Sequence, residues 1–127
     1  MYRTLIVEDN TDFRQSLNYM RSCHFPSMVI AEAGNGKDAM KQVDNFEPKL
    51  VFMDIKLPDE NGLNLTKTIK SDHADTTVII MTAYDFPEYR QAATEAGASY
   101  FIPKGSLGGE SVLSLVEFVM ADDPSLG

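Results

Sequence analysis

Cysteine is nearly absent from this chain, basic residues are scarce and no long apolar run occurs. The single cysteine, Cys23, allows neither an internal disulfide nor a thiolate metal site built from this chain alone. It is expected to be a small residue on a helix. Eleven Lys and Arg stand against nineteen Asp and Glu, a net charge of -8. That balance argues against gripping nucleic acid, which needs a clustered basic face, so any DNA contact is expected to come from a partner or a separate domain. No stretch of about 18 apolar residues is present, nor a basic-then-apolar amino-terminal segment. Neither a membrane span nor a secretory signal is therefore expected, and the expected location is the cytoplasm. The two histidines, His24 and His73, fall away from the ends of the apolar runs and are read as helix or loop residues rather than ligands. What remains, 127 residues that are 43% apolar and 24% charged, fits one globular domain with a sizeable core.

Short apolar runs recur at Leu5-Val7, Met28-Ala31, Leu50-Met53, Val78-Met81 and Tyr100-Ile102. Each is too continuous for the alternating strand of a half-exposed sheet and reads as a strand buried on both faces. Between them lie helical spacings: Phe13, Leu17 and Met20; Ala39, Met40 and Val43; Leu65 and Ile69; Tyr89, Ala92, Ala93 and Ala96; Val112, Leu115, Val116 and Val119. Asn10-Thr11-Asp12 offers caps for the first helix, Asp85 with Pro87 and Glu88 a start for the fourth, and Gly97 its end. Alternating strands and helices imply a parallel sheet with helices on both faces. Ligands of such sheets bind beyond the strand carboxyl ends, where the strand order reverses.

The acids fall at those ends. Glu8-Asp9 directly follow the first run and Asp54 directly follows the third. Carboxylates gathered in a partly dry site repel one another and lose solvation, so they call for a proton or a cation. Asp9 and Asp54 are placed to bind a small hard ion directly and Glu8 through water, with the backbone oxygen of Lys56 completing part of an octahedral shell; magnesium suits this donor set better than zinc. Asp54 is the candidate nucleophile, because a carboxylate held against a metal can take a phosphoryl group in line and form an acyl phosphate. Thr82 ends the fourth strand with a hydroxyl that can donate to a phosphoryl oxygen, and Lys104 follows the fifth with a compact cation on a long stem. Taken singly, each has a plainer explanation as a loop acid, a strand threonine or a surface lysine. Their occurrence together, each beyond a different strand in this order, carries the inference.

In these positions the chain resembles the response-regulator receiver domains of two-component signalling. The family's acidic pair falls on Glu8 and Asp9, its phosphoacceptor on Asp54 followed by Leu57-Pro58 and Gly62, its hydroxyl on Thr82, its switch aromatic on Phe101 and its lysine on Lys104. The resemblance implies a (βα)5 doubly wound, five-stranded parallel sheet of flavodoxin-like topology, order 2-1-3-4-5, over residues 1–121, with 122–127 a tail or the start of a linker. It implies magnesium as cofactor and a sensor histidine kinase or phosphotransfer protein as donor. The domain would catalyse only its own phosphoryl transfer and dephosphorylation. Thr82 and Phe101 would then remodel the face made by the fourth helix, fifth strand and fifth helix, where an output domain, a partner protein or a second phosphorylated copy would bind. Lys56 and Tyr84 fall at two variable positions that would tune the access of water. One departure stands out: many receivers follow the lysine with a proline in a cis peptide, whereas here the order is Pro103-Lys104-Gly105. The alternative function is a receiver-like module that binds partners regardless of phosphorylation.

Overall fold

In the computed structural model, which describes residues 2–106 and 109–121, the five apolar runs become the strands β1 (Tyr2–Val7), β2 (Met28–Ala33), β3 (Leu50–Asp54), β4 (Thr77–Thr82) and β5 (Tyr100–Pro103). They alternate with α1 (Thr11–His24), α2 (Gly36–Phe46), α3 (Gly62–Asp72), α4 (Pro87–Ala96) and α5 (Glu110–Ala121). All strands are parallel, in the order β2-β1-β3-β4-β5. The strand order thus reverses at β1, and the crevice between β1 and β3 opens at their carboxyl ends. The expected tail, 122–127, lies outside the described residues. No helix among the described residues is long and apolar enough to cross a membrane.

Successive strand residues feed opposite layers, which is why the runs are continuously apolar. Leu5, Val7, Val51, Met53, Val78 and Ile80 pack with Ala39 and Val43 of α2, Leu65 and Ile69 of α3 and Ala93 of α4. Ile6, Leu50, Phe52, Ile79 and Met81 pack on the other side with Leu17 of α1 and Val112, Val116 and Val119 of α5. Burial on both faces holds for the central strands β1, β3 and β4, but β2 and β5 are only partly buried. These two are the edges of the sheet, where one neighbouring strand and its helices are missing, so the expectation of full burial was too broad for them.

The helix ends follow their capping chemistry. Asn10 accepts from the Phe13 N–H at 3.0 Å, and Gly97 closes α4 at φ 100, a conformation that costs glycine little. Asp85 does not start α4 as expected. Phe86 occupies the cap position without a side-chain hydrogen bond, Pro87 opens the helix, and Asp85 instead accepts from Arg90 at 2.7 and 3.0 Å. Proline's fixed φ is sufficient to begin the turn, and the guanidinium is the stronger partner for the carboxylate.

Register carries the sheet into the site. Val7 pairs with Met53, so Glu8 and Asp54 leave adjacent strands at one level; Thr82 pairs with Pro103, so Lys104 emerges just beyond them. Gly62 seats α3 against this edge, donating its N–H to the Ile55 carbonyl at 2.7 Å. A Cβ there would stand 1.8 Å from the Asp54 carbonyl oxygen. Gly62→Ala is therefore expected to cost about 2–3 kcal/mol through overpacking, lowering the thermal unfolding midpoint by roughly 10 °C, as measured by circular dichroism; an unchanged midpoint would contradict this close approach.

Candidate functional site

Three carboxylates meet at the β1–β3 crevice. One oxygen each of Glu8, Asp9 and Asp54 lie within 4.8 Å of one another. Glu8 is completely buried, Asp54 is 6% exposed and Asp9 faces solvent. Into this group reaches the Lys104 ammonium, donating to Glu8 Oε1 at 2.7 Å and to Asp54 Oδ2 at 3.1 Å, with its Nζ 4.8 Å from the centre of the Phe13 ring. The four residues come from three strand ends and are brought together by strand register and by the direction of the loops that follow. Lys104 opens a short 3-10 turn, Lys104–Ser106, and no cis peptide occurs among the described residues. The Pro103-Lys104-Gly105 order thus delivers the ammonium to the acids through trans peptides.

The electrostatics are lopsided. Glu8 Oε2 is buried without a hydrogen-bond partner. Burial first, and the neighbouring Asp54 carboxyl next, raise the Glu8 pKa from 4.5 to about 8 against the lowering pull of Lys104. For Lys104, burial works against the charged form, but hydrogen bonds and charge from Glu8 and Asp54 outweigh it and the pKa is raised. One ammonium therefore faces more negative charge than it neutralises. The remainder is met by a proton on Glu8 or by a cation, and a set of carboxylate oxygens with one buried oxygen unpaired suits a hard, oxygen-seeking divalent ion.

The other candidates stand around this cluster. Thr82, 1% exposed, does not reach the acids: its hydroxyl donates to the Tyr84 carbonyl at 3.1 Å and accepts from the Tyr84 N–H at 2.9 Å. Lys56 projects its ammonium over the exposed Tyr84 ring, 4.2 Å from its centre, so the β3–α3 and β4–α4 loops touch across the mouth of the crevice. Phe101 is partly buried against the α2–α4 layer, and the Arg90 guanidinium lies 4.8 Å from its ring centre. His24 ends α1 and His73 follows α3, both at the amino-terminal side of the next strand, and Cys23 is exposed on α1. A depression of about 370 Å³ at that opposite end is lined by Arg3, Lys49 and His73 among Glu47, Asp72 and Asp75. Its charges are mixed, and it contains none of the clustered acids.

Two supporting residues escaped sequence reasoning. Arg14 donates to the Glu8 carbonyl at 2.5 Å and to Glu32 Oε1 at 2.9 Å, and the Glu8 N–H donates to the Ala33 carbonyl at 2.9 Å, so the backbone of the acidic pair is gripped from α1 and β2. Phe13, counted only as a core position of α1, also supplies the ring beside Lys104. Arg14 follows Phe13 in the helix, and nothing in that spacing marks either role, because the partners are supplied by other strands.

Comparison with known proteins agrees with this fold. The response regulator receiver domain family model matches residues 4–114. The transcriptional regulatory protein YdfI of Bacillus subtilis is 35% identical over 104 residues, which cover 82% of this chain and 48% of that protein. The chain thus spans about half the length of this curated relative. A LuxR-family DNA-binding response regulator from Staphylococcus aureus superposes with a TM-score of 0.85 at 28% identity, covering 94% of this chain and 98% of that one. The signal receiver domain of a Colwellia psychrerythraea regulator reaches a TM-score of 0.91 over 96% of this chain and 100% of its own, at 23% identity, a likeness of fold. With the acids, the lysine and the strand order of a receiver in one crevice, the chain belongs to the response regulator receiver domain family of two-component signalling.

Proposed function

We propose that this domain is a phosphorylation-dependent switch, accepting a phosphoryl group on Asp54 from a histidine kinase or phosphotransfer protein and controlling an output domain or partner through the α4-β5-α5 face. The observation that carries this reading is the Lys104 ammonium bonded to both Glu8 and Asp54 inside an acidic group with one buried carboxylate oxygen unpaired. Asp9 and Asp54 would hold magnesium directly, Glu8 through water, and Lys56 by its backbone carbonyl. The ion, when bound, supplies the positive charge that lets a phosphoryl group approach three acids.

The chain's own residues do the rest. An Asp54 carboxylate oxygen attacks the phosphorus of a phosphohistidine; the new O–P bond forms as the P–N bond breaks, and the imidazole leaves. Lys104 moves from Asp54 to a phosphoryl oxygen as charge passes to it. Thr82 donates to another phosphoryl oxygen only after releasing the Tyr84 carbonyl, and Phe101 turns inward only after leaving the Arg90 guanidinium. Lys56 over Tyr84 narrows the approach of water and so favours a longer-lived acyl phosphate. The chemistry is confined to the domain's own phosphorylation and dephosphorylation.

Magnitudes decide how complete the switch is. Two charge-assisted hydrogen bonds gained by the phosphoryl group contribute roughly 3–6 kcal/mol. Releasing Tyr84 costs about 1 and leaving Arg90 about 0.5–1, so roughly 1–4.5 kcal/mol remains. That falls short of the approximately 5.5 kcal/mol needed to swing a population from 1:99 to 99:1. Phosphorylation alone then shifts the balance, and the partner supplies the rest by binding the active form. A phosphorylation-dependent homodimer would use the same face. The receiver is assigned to residues 1–121, with 122–127 a tail or the start of a linker, and with a net charge of -8 any DNA contact is assigned to another domain.

Incubation with magnesium and a small acyl-phosphate donor is expected to add one phosphoryl mass, lost in Asp54→Ala; labelling that survives the substitution removes Asp54 from its role, and an unlabelled native chain favours the phosphorylation-independent module. Amide hydrogen exchange before and after labelling is expected to change in α4 and β5, and to change far less in Thr82→Ala and Phe101→Ala at equal labelling. Changes of full size in both variants would defeat the switch. With divalent ions chelated, the native state holds more protons on Glu8 than the unfolded chain does between the ordinary value of 4.5 and about 8. Stability from that group is therefore complete at low pH and lost as pH rises through that window. Thermal unfolding should show a decline of several degrees that magnesium offsets at high pH and Glu8→Gln flattens; an equal decline in Glu8→Gln would assign it elsewhere.

A further inference from the structure

The loop between β3 and α3, residues 55–61, carries the Lys56 carbonyl; besides the Lys56 side chain lying over the Tyr84 ring, its backbone is held in two different ways. At its base it closes on itself: Gly62 donates to the Ile55 carbonyl at 2.7 Å, Lys56 pairs across to Asn61, and Asn61 Oδ1 accepts from the Leu63 N–H at 2.7 Å. These contacts, with Ile55 and Leu57 packed on the α2–α4 layer, fix the base of the loop but do not reach its tip. Its tip is tied to another element. Asp59 Oδ1 accepts from the Gly36 N–H at 2.7 Å and Asp59 Oδ2 from the Lys37 N–H at 3.1 Å. Gly36 and Lys37 are the first two residues of α2, whose N–H groups have no partner within the helix and lie at its positive end.

Three observations mark this tether as more than a routine cap. First, α2 already has one, since Asn35 Oδ1 accepts from the Asp38 N–H at 2.8 Å. Second, the approach is close enough to require glycine: a Cβ at Gly36 would stand 2.9 Å from the Glu60 Cβ and 3.3 Å from Asp59 Oδ1. Third, the Gly36 bond above all, joined by that from Lys37, holds the Asp59 carboxyl below the usual carboxylate range, so the tether persists when the solution is acidified.

We propose that Asp59 is a positioning residue of the metal-binding site: by tying the tip of the β3–α3 loop to the amino terminus of α2, it holds the Lys56 carbonyl toward Asp9 and Asp54. This rests on the reading of the Asp54 site given above. Asp59 itself is not one of the clustered acids. Without the tether the base of the loop stays closed through Gly62 and Asn61 but its tip is released, so the Lys56 carbonyl is held less firmly and affinity for the ion falls while the fold persists.

Magnesium binding to the unphosphorylated chain, followed by isothermal titration calorimetry, tests this without any turnover. Asp59→Ala is expected to weaken binding about tenfold, the low end for residues that orient a metal ligand. Asp59→Asn, which keeps one acceptor for the Gly36 N–H, should recover part of the loss. Asn35→Ala supplies the control, because it removes the cap of the same helix and lowers stability but leaves the loop tied, and its affinity should match the native chain. Native affinity in Asp59→Ala, or equal weakening in Asn35→Ala, would overturn the positioning role. Failure of the native chain itself to bind magnesium would overturn the metal site and this inference with it.

Discussion

Lys104 donating at once to Glu8 and Asp54 is the contact around which this domain is arranged. Parallel strands that end level with one another collect their following residues at one edge, and here three of those residues are carboxylates. Burial of Glu8 and Asp54 strengthens the repulsion between them, and a single ammonium offsets only part of it. Glu8 shows the remainder in its raised pKa and in an oxygen without a partner. A site in that condition holds a strong bias toward added positive charge. The same bias makes it responsive to whatever rearranges its few cationic contacts.

In the proposed switch, the surroundings would translate that response into shape. Thr82 and Phe101 lie on neighbouring strands, and each is engaged outside the acid cluster, Thr82 with the backbone of Tyr84 and Phe101 with Arg90. The proposed active state competes with these contacts, so its advantage is a difference between two bonded arrangements rather than a sum of new bonds. Arg90 is itself anchored by Asp85 just before α4. In the proposed switch, movement of the Phe101 ring would therefore disturb the loop and helix that adjoin it. The packed layers behind the site, closed by Gly62 against the Asp54 carbonyl, give that movement a rigid base.

Much of the fold was legible in the sequence. Runs such as Leu50-Met53 are apolar at every position because alternate residues enter opposite cores, and that pattern identifies a central parallel strand. The same pattern overstated the burial of β2 and β5, since a run of apolar residues does not disclose that its strand lies at an edge. Asn10 and Gly97 were read correctly from local capping chemistry. Asp85 was not, because its carboxylate is claimed by a guanidinium five residues later while proline alone starts the helix.

The sequence by itself determined the order of the elements and the residues that follow each strand, because periodicity, capping and backbone restriction act over a few neighbouring residues. It therefore named Glu8, Asp9, Asp54, Thr82 and Lys104 as residues of one strand edge. Only the tertiary structure decided their partners: Lys104 with Glu8 and Asp54, the Thr82 hydroxyl with Tyr84, Arg14 with the Glu8 carbonyl and Asp59 with the start of α2. Those pairings depend on register and on loop direction, and both are set by the packing of the whole sheet between its two helical layers rather than by any local stretch of chain.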